Sequence, residues 1–221
     1  MNGYAVFDVD GTLIEGQSQK ELLSYLYGKR YIKLSTYLVI AAWFLMYKMG
    51  LLSDPRKVAN YAFAFLKGRS VEEFSRLVDN FFDERLKTLI YPEAADIIRE
   101  HQLKGRTVIL LSNAIMPLVQ SLAKHLGVKD CIATGLETSG GKFTGRIAGD
   151  VVFGENKTTL LRAFITAHAL DAGDSWGYGD HVSDAGYLSV VKHAFAANPT
   201  QGLRNIAAQN KWESLNFHRT K

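Results

Sequence analysis

Apolar and polar positions along the chain change period several times. Residues 2–8 form an apolar run of the kind expected of a strand buried on both faces, and the run ends at Asp8, Asp10 and Gly11. From Ser18 to about Leu89 the spacing is helical, with expected breaks at Gly50–Pro55 and Gly68–Ser70. Inside it, Val71, Phe74, Leu77, Val78, Phe81 and Phe82 recur every three or four positions, the apolar stripe of one helix. Ser70 and Glu73 are spaced for a capping box at its start. After Tyr91-Pro92 the pattern alternates. Helices are predicted over Glu93–Gln102, Ile115–Leu126 (stopped by Gly127), Glu155–Ala169 and Ser183–Val190. Strands are predicted over Thr107–Ser112, Asp130–Thr134, Ser175–Tyr178 and Ala194–Ala197. The glycine-rich 135–149 reads as a hairpin turning near Gly140-Gly141.

Strands alternating with helices predict an α/β fold, a Rossmann-like doubly wound parallel sheet core. About a hundred residues separate the first two strands, too many for one crossover. Residues 16–90 are therefore expected to form a helical cap inserted after the first strand. The catalytic core is then 1–15 together with 91–221.

Composition adds exclusions. The chain has 221 residues, 47% hydrophobic and 22% charged, with a formal net charge of +4. It contains no block of like charges, so nucleic acid is not expected as a partner. The short basic end, 218–221, reads as solvated. A single cysteine, Cys131, precludes an internal disulfide and is expected to be a buried structural thiol in a reducing compartment. No basic segment precedes an apolar one at the N-terminus, so a cytoplasmic location is expected. Thr36–Tyr47 (TYLVIAAWFLMY), flanked by Lys33 and Lys48, is shorter than the roughly 20 apolar residues of a membrane span. It reads as a buried cap helix or an interfacial one, giving peripheral membrane contact through the cap.

Chemistry concentrates where strands end. Open α/β sheets bind ligands beyond the carboxyl ends of their strands. Asp8 and Asp10 follow the first strand, and Ser112 and Asn113 follow the second. Asp180, Ser183 and Asp184 (GDHVSD) follow the strand ending at Tyr178, and Lys157 opens a helix. Gathered carboxylates need a cation, and Asp8 with Asp180 suits Mg²⁺, which takes few protein oxygens plus a substrate phosphate. Asp8 would attack phosphorus, and Asp10 would serve as acid and then base. Lys157 and Ser112 would neutralise phosphoryl oxygens, and Gly11 would turn backbone N–H groups toward them. The segment GDVVFGENKT begins like a P-loop, but Glu155 stands where the lysine belongs, so that reading fails.

FDVDGTL, LLSN, Lys157 and GDHVSD resemble the four motifs of the haloacid dehalogenase superfamily, and within it the phosphoserine-phosphatase-like branch with a helical cap. The resemblance implies a phosphomonoester hydrolase using Mg²⁺ and an aspartyl-phosphate. It implies that Asp8, Asp10 and Lys157 are catalytic, and that Gly11, Thr12, Ser112, Asn113 and Lys157 hold phosphate. Asp8, Asp10 through its backbone carbonyl, and Asp180 would hold the metal, with Asp184 and Ser183 behind them. Similar phosphoserine phosphatases carry a Glu nine residues past the nucleophile for the substrate ammonium; here Gln17 stands there. The apolar cap resembles that of phosphatases acting on phosphatidylglycerophosphate, implying a phospholipid head-group phosphate. Alternatives are a small-metabolite phosphatase, for phosphoserine or a sugar or polyol phosphate, or a phosphotransferase. A non-catalytic alternative, a receiver-like phospho-accepting domain, is disfavoured by Asp10, which would speed loss of the phosphate.

Overall fold

A computed structural model describes residues 2–48 and 54–218. Its strands are β1 (Gly3–Phe7), β2 (Thr107–Ile115), β3 (Asp130–Ser139), β4 (Lys142–Ala148), β5 (Asp171–Gly179), β6 (His193–Ala197) and β7 (Glu213–Leu215). They form one sheet in the order β4-β3-β2-β1-β5-β6-β7, parallel except for the β3–β4 hairpin. Every residue of β1 is buried, as its uninterrupted apolar run requires. Its side chains alternate between two cores. Ala5 and Phe7 join one with α4 (Val71–Glu84), α5 (Pro92–Leu103) and α6 (Met116–Leu126). Tyr4 and Val6 join the other with α7 (Glu155–Ala167), α8 (Ala185–Leu188) and α9 (Gln201–Asn210). Helices on both faces make the sheet doubly wound. Its strand order reverses between β1 and β5, which places the ligand crevice at their carboxyl ends.

Among the described residues, four α-helices lie between β1 and β2 ahead of α5: α1 (Ser18–Gly28), α2 (Leu34–Lys48), α3 (Pro55–Phe63) and α4. The expected break at Gly50–Pro55 falls mostly on residues 49–53, outside the described residues. Asp54 caps α3, accepting from the Arg56 and Lys57 N–H groups at 3.0 and 3.2 Å. Ser70 Oγ likewise accepts from the Glu73 N–H at 3.3 Å. The insert is stitched to the β3–β4 hairpin by backbone hydrogen bonds: Gly68 N–H to Phe143 O at 2.8 Å, Phe143 N–H to Arg69 O at 3.0 Å, and Val71 N–H to Gly141 O at 3.0 Å. Asn60 Oδ1 adds the Ile147 N–H at 2.9 Å.

Helix α2 is apolar on every side, yet only one side is covered. Ile40 is buried, whereas Leu34, Leu38, Val39 and Leu45 are more than half exposed. No helix among the described residues is long and apolar enough to cross a membrane. The side chains of Tyr47 and Lys48, part of the interfacial expectation, lie outside the described residues, as do 219–221 of the basic end.

Several expectations are corrected. β3 runs to Ser139 rather than Thr134, paired with β4. β5 begins at Asp171 rather than Ser175, because the Asp171 N–H binds Asn2 O at 2.9 Å and Asp174 takes three hydrogen bonds from Arg106. The helix expected over Ser183–Val190 is a 3₁₀ turn, Val182–Asp184, followed by the four-residue α8. Helix α9 and edge strand β7 follow, neither predicted. Cys131 is partly rather than fully buried, and its surroundings push the thiol up to about 11.

Phe74 is fully buried and meets Phe143 edge-on at 5.5 Å, joining the insert to the hairpin. Phe74→Ala is expected to cost about 3–5 kcal/mol in a urea melt. A loss below about 1 kcal/mol would show that the insert does not rest on this contact.

Candidate active site

The carboxylates gather at the reversal point of the sheet. Asp8, the residue after β1, is buried, and its N–H binds Tyr178 O across to β5 at 2.9 Å. Asp180 and Asp184 arrive on the loop after β5. Ligand oxygens of Asp8, Asp180 and Asp184 all lie within 4.8 Å of one another. Lys157, buried in the first turn of α7, reaches into this group and binds Asp8 Oδ1 and, at 2.7 Å, Asp184 Oδ1. A cation at a helix N-terminus opposes the helix dipole. Two buried carboxylates supply the reason for it.

Asp184 is held by protein donors on both oxygens. Oδ1 takes Lys157, and Oδ2 accepts the Asp180 and His181 N–H groups at 3.2 and 3.1 Å. It therefore fixes the Lys157 ammonium and the loop that carries Asp180. Gly11 adopts φ 87°, and a Cβ there would clash with Asp180 Oδ2. Only glycine leaves Asp180 room to face Asp8.

The charges do not balance, since one ammonium faces three carboxylates. Burial, with the neighbouring aspartates adding to it and Lys157 opposing it, raises Asp8 to about 7. Burial and then Asp8 and Asp184 raise Asp180 to about 8. Burial works against the Lys157 charge, but Asp8 and Asp184 outweigh it and raise its pKa. Lys157 thus stays protonated while the carboxylates still lack a full counter-charge. A hard divalent cation between Asp8 and Asp180 would supply that charge, so the residues present fit such an ion.

Other expected residues are placed differently. Asp10 Oδ1 accepts the Ser18 N–H at 2.8 Å, so its carboxylate is outside the three-aspartate group. Desolvation raises the Asp10 pKa against the hydrogen bonding of Ser18. Gly11 and Thr12 do not offer free N–H groups. Gly11 N–H binds Ile14 O at 2.9 Å and Thr12 N–H binds Val9 O at 3.3 Å, because the chain closes a tight loop here. The Thr12 hydroxyl is buried without a partner. Ser112 Oγ accepts the Ala114 N–H at 3.1 Å, which leaves its own proton to donate. Asn113 stands where the β2–β3 register shifts, its carbonyl accepting from Thr134 Oγ1 at 2.9 Å. Ser183 is not drawn to the carboxylates; it faces the His181 ring, with Oγ 3.1 Å from Nδ1. Gln17 is exposed at the N-cap of α1.

Sequence reasoning missed the support beneath this site. His101 is buried 2.9 Å from the Tyr178 hydroxyl, and burial lowers its pKa to about 4. Tyr178 stacks on Phe7 at 4.3 Å, immediately before Asp8. Nothing in local spacing could have paired residues so far apart in sequence.

This geometry has counterparts. The model of the haloacid dehalogenase-like hydrolases matches residues 5–189, and the chain belongs to that family. It is 29% identical over 218 residues to a phosphoserine phosphatase of Mycobacterium tuberculosis, covering 96% of this chain and 70% of that one. It is 27% identical over 222 residues to a histidinol-phosphatase of Neisseria meningitidis, covering 98% and 100%. A crystal structure of a protein of unknown function from Bordetella pertussis shares the fold at TM-score 0.90 and 26% identity, over 97% and 98% of the two chains. Within its family the chain is a phosphatase, and the relatives it is similar to include a phosphoserine phosphatase and a histidinol-phosphatase.

Carboxylates with raised pKa values bind metal in competition with protons. The affinity for Mg²⁺ is expected to weaken by about tenfold or more between pH 8 and pH 6, read by calorimetry. A raised carboxylate also stabilises the metal-free fold at low pH. That contribution fades as pH climbs from about 4 towards 7 for Asp8 and 8 for Asp180. At pH 8 in chelator, Asp180→Asn is accordingly expected to raise the melting temperature by a few degrees. A lower melting temperature would contradict the charge imbalance.

Proposed function

We propose that the protein hydrolyses phosphate monoesters of small molecules with Mg²⁺ held by Asp8 and Asp180, through a phosphoryl group carried on Asp8. The observation carrying this reading is Asp8 at the end of the central strand, tethered by one oxygen to Lys157 and close to Asp180. Its other oxygen is left to attack phosphorus. Bound Mg²⁺ supplies positive charge for the phosphoryl oxygens and for the crowded carboxylates. The bond from Asp8 to phosphorus forms as the ester P–O bond breaks. Asp10, whose desolvation favours the protonated form, gives its proton to the departing alcohol. The Asp10 carboxylate then takes a proton from water as the water oxygen binds phosphorus and the aspartyl bond breaks. Lys157 and the Ser112 hydroxyl stabilise charge on the phosphoryl oxygens. Asp184 positions Lys157. Asn113 and the Thr12 hydroxyl border the phosphate. Residues 16–90 act as the cap that encloses the alcohol portion.

With p-nitrophenyl phosphate, turnover is expected to stop on chelation and in Asp8→Asn, and to fall about 10²–10⁴-fold in Asp10→Asn. Mg²⁺-independent turnover, or an unchanged rate in Asp10→Asn, would overturn these roles.

The exposed face of α2 favours a second reading, in which the phosphate is borne by a lipid and the protein works at a membrane surface. Leu34, Leu38 and Leu45 share that face, and exposed Arg30 and Lys33 stand at its start to meet anionic head groups. The double variant Leu38→Glu with Leu45→Glu is expected to abolish binding to phosphatidylglycerol vesicles while p-nitrophenyl phosphate turnover is retained. Equal vesicle binding by the variant and the parent would remove this reading.

A further inference from the structure

A cleft open to solvent lies between the first turn of α1, helices α2 and α3, and the sheet side of the molecule. Phe44, Val58, Phe63, Val151 and Phe153 wall it. It adjoins the site along two stretches of chain. Gln19 follows Ser18, whose N–H holds Asp10, and Asn113 follows Ser112. This proximity in the chain makes the cleft a candidate to receive the body of an alcohol protonated by Asp10. A second, smaller cleft shares the walls Gln19, Phe44 and Phe63. It continues into the insert among Leu22, Leu26, Ile40 and Phe74.

No charged side chain lines either cleft among the described residues. Of the polar groups, the Thr134 hydroxyl is committed, donating to Asn113 O at 2.9 Å and accepting the Val152 N–H at 3.3 Å. That leaves the neutral amides of Gln19 and Asn113. An ammonium or carboxylate placed here would lose part of its water and gain no counter-charge from the lining side chains, which is unfavourable. Apolar carbon, by contrast, would gain from leaving water.

We infer that the leaving group of the natural substrate is an uncharged alcohol with an apolar body. Phe44 and Phe63 select that body, and Gln19 holds its polar end. This rests on the phosphatase reading above and narrows its substrate class. It sets amino-alcohol phosphates, including phosphoserine and histidinol phosphate, among the poor substrates.

The test measures kcat/KM of the Mg²⁺-loaded protein on n-alkyl phosphates from ethyl to octyl, on phosphoserine and phosphoethanolamine, and on p-nitrophenyl phosphate as reference. kcat/KM is expected to rise about fourfold per methylene until the cleft fills, mainly through KM. Hexyl phosphate is expected to exceed phosphoethanolamine by at least about a hundredfold. Gln19→Glu, which places a carboxylate beside the cleft, is expected to narrow that ratio by on the order of tenfold. A flat alkyl series, or phosphoserine or phosphoethanolamine used as well as the hexyl ester, overturns the inference while leaving the phosphatase reading intact. Absence of turnover on every ester, p-nitrophenyl phosphate included, overturns the phosphatase reading and the inference with it. Should Gln19→Glu not fold, the alkyl series alone decides.

Discussion

Three carboxylates and a single ammonium share the buried end of the sheet, and the rest of the molecule is arranged around that imbalance. Lys157 cannot neutralise Asp8, Asp180 and Asp184 together. Each remaining negative charge is costly in a desolvated site unless a proton or a cation offsets it. The raised values of Asp8 and Asp180 express this tension. The same imbalance suits the three aspartates to a hard cation. Asp10 stays outside the cluster, tied to the Ser18 N–H, so its environment differs from that of Asp8 two residues away. Desolvation raises the pKa of both carboxylates on this short segment, but Lys157 opposes it at Asp8 and the Ser18 hydrogen bonds oppose it at Asp10.

The scaffold holds these groups by non-local means. β1 is buried on both faces, and its backbone links to β5 through Asp8 itself. Tyr178, His101 and Phe7 pack under the end of the strand, and Arg106 bound to Asp174 anchors the start of β5. The insert is fastened to the β3–β4 hairpin by backbone hydrogen bonds, and apolar clefts lie between α1, α2 and α3. The gathered carboxylates sit at the end of the sheet and the apolar clefts beside the insert, in physically different surroundings.

Much of this could be read from the chain. The run before Asp8, the TVILLS strand and the alternation after Pro92 announced a parallel sheet, because strands buried on both faces are apolar throughout. The carboxylates stood out because they follow such runs. Other features left no local trace. β7 is a three-residue edge strand, too short to show alternation. β5 starts early because of partners on β1 and at Arg106, far away in sequence. Gly11 reads as a turn glycine, and its N–H was expected at the phosphate. Its N–H is instead spent within the loop, and its lack of a side chain makes room for Asp180. Ser183 has the spacing of a supporting residue but turns to His181. Helix α2 is apolar all round, so its pattern could not say which face would be covered.

The central claim is that Asp8 itself carries the phosphoryl group during turnover. The most direct measurement is rapid acid quench of the Mg²⁺-loaded protein during hydrolysis, followed by peptide mass spectrometry. The account predicts one phosphoryl group on the peptide containing Asp8, absent when Mg²⁺ is chelated. A phosphoryl group on any other residue, or full turnover with none on the protein at any quench time, would contradict it.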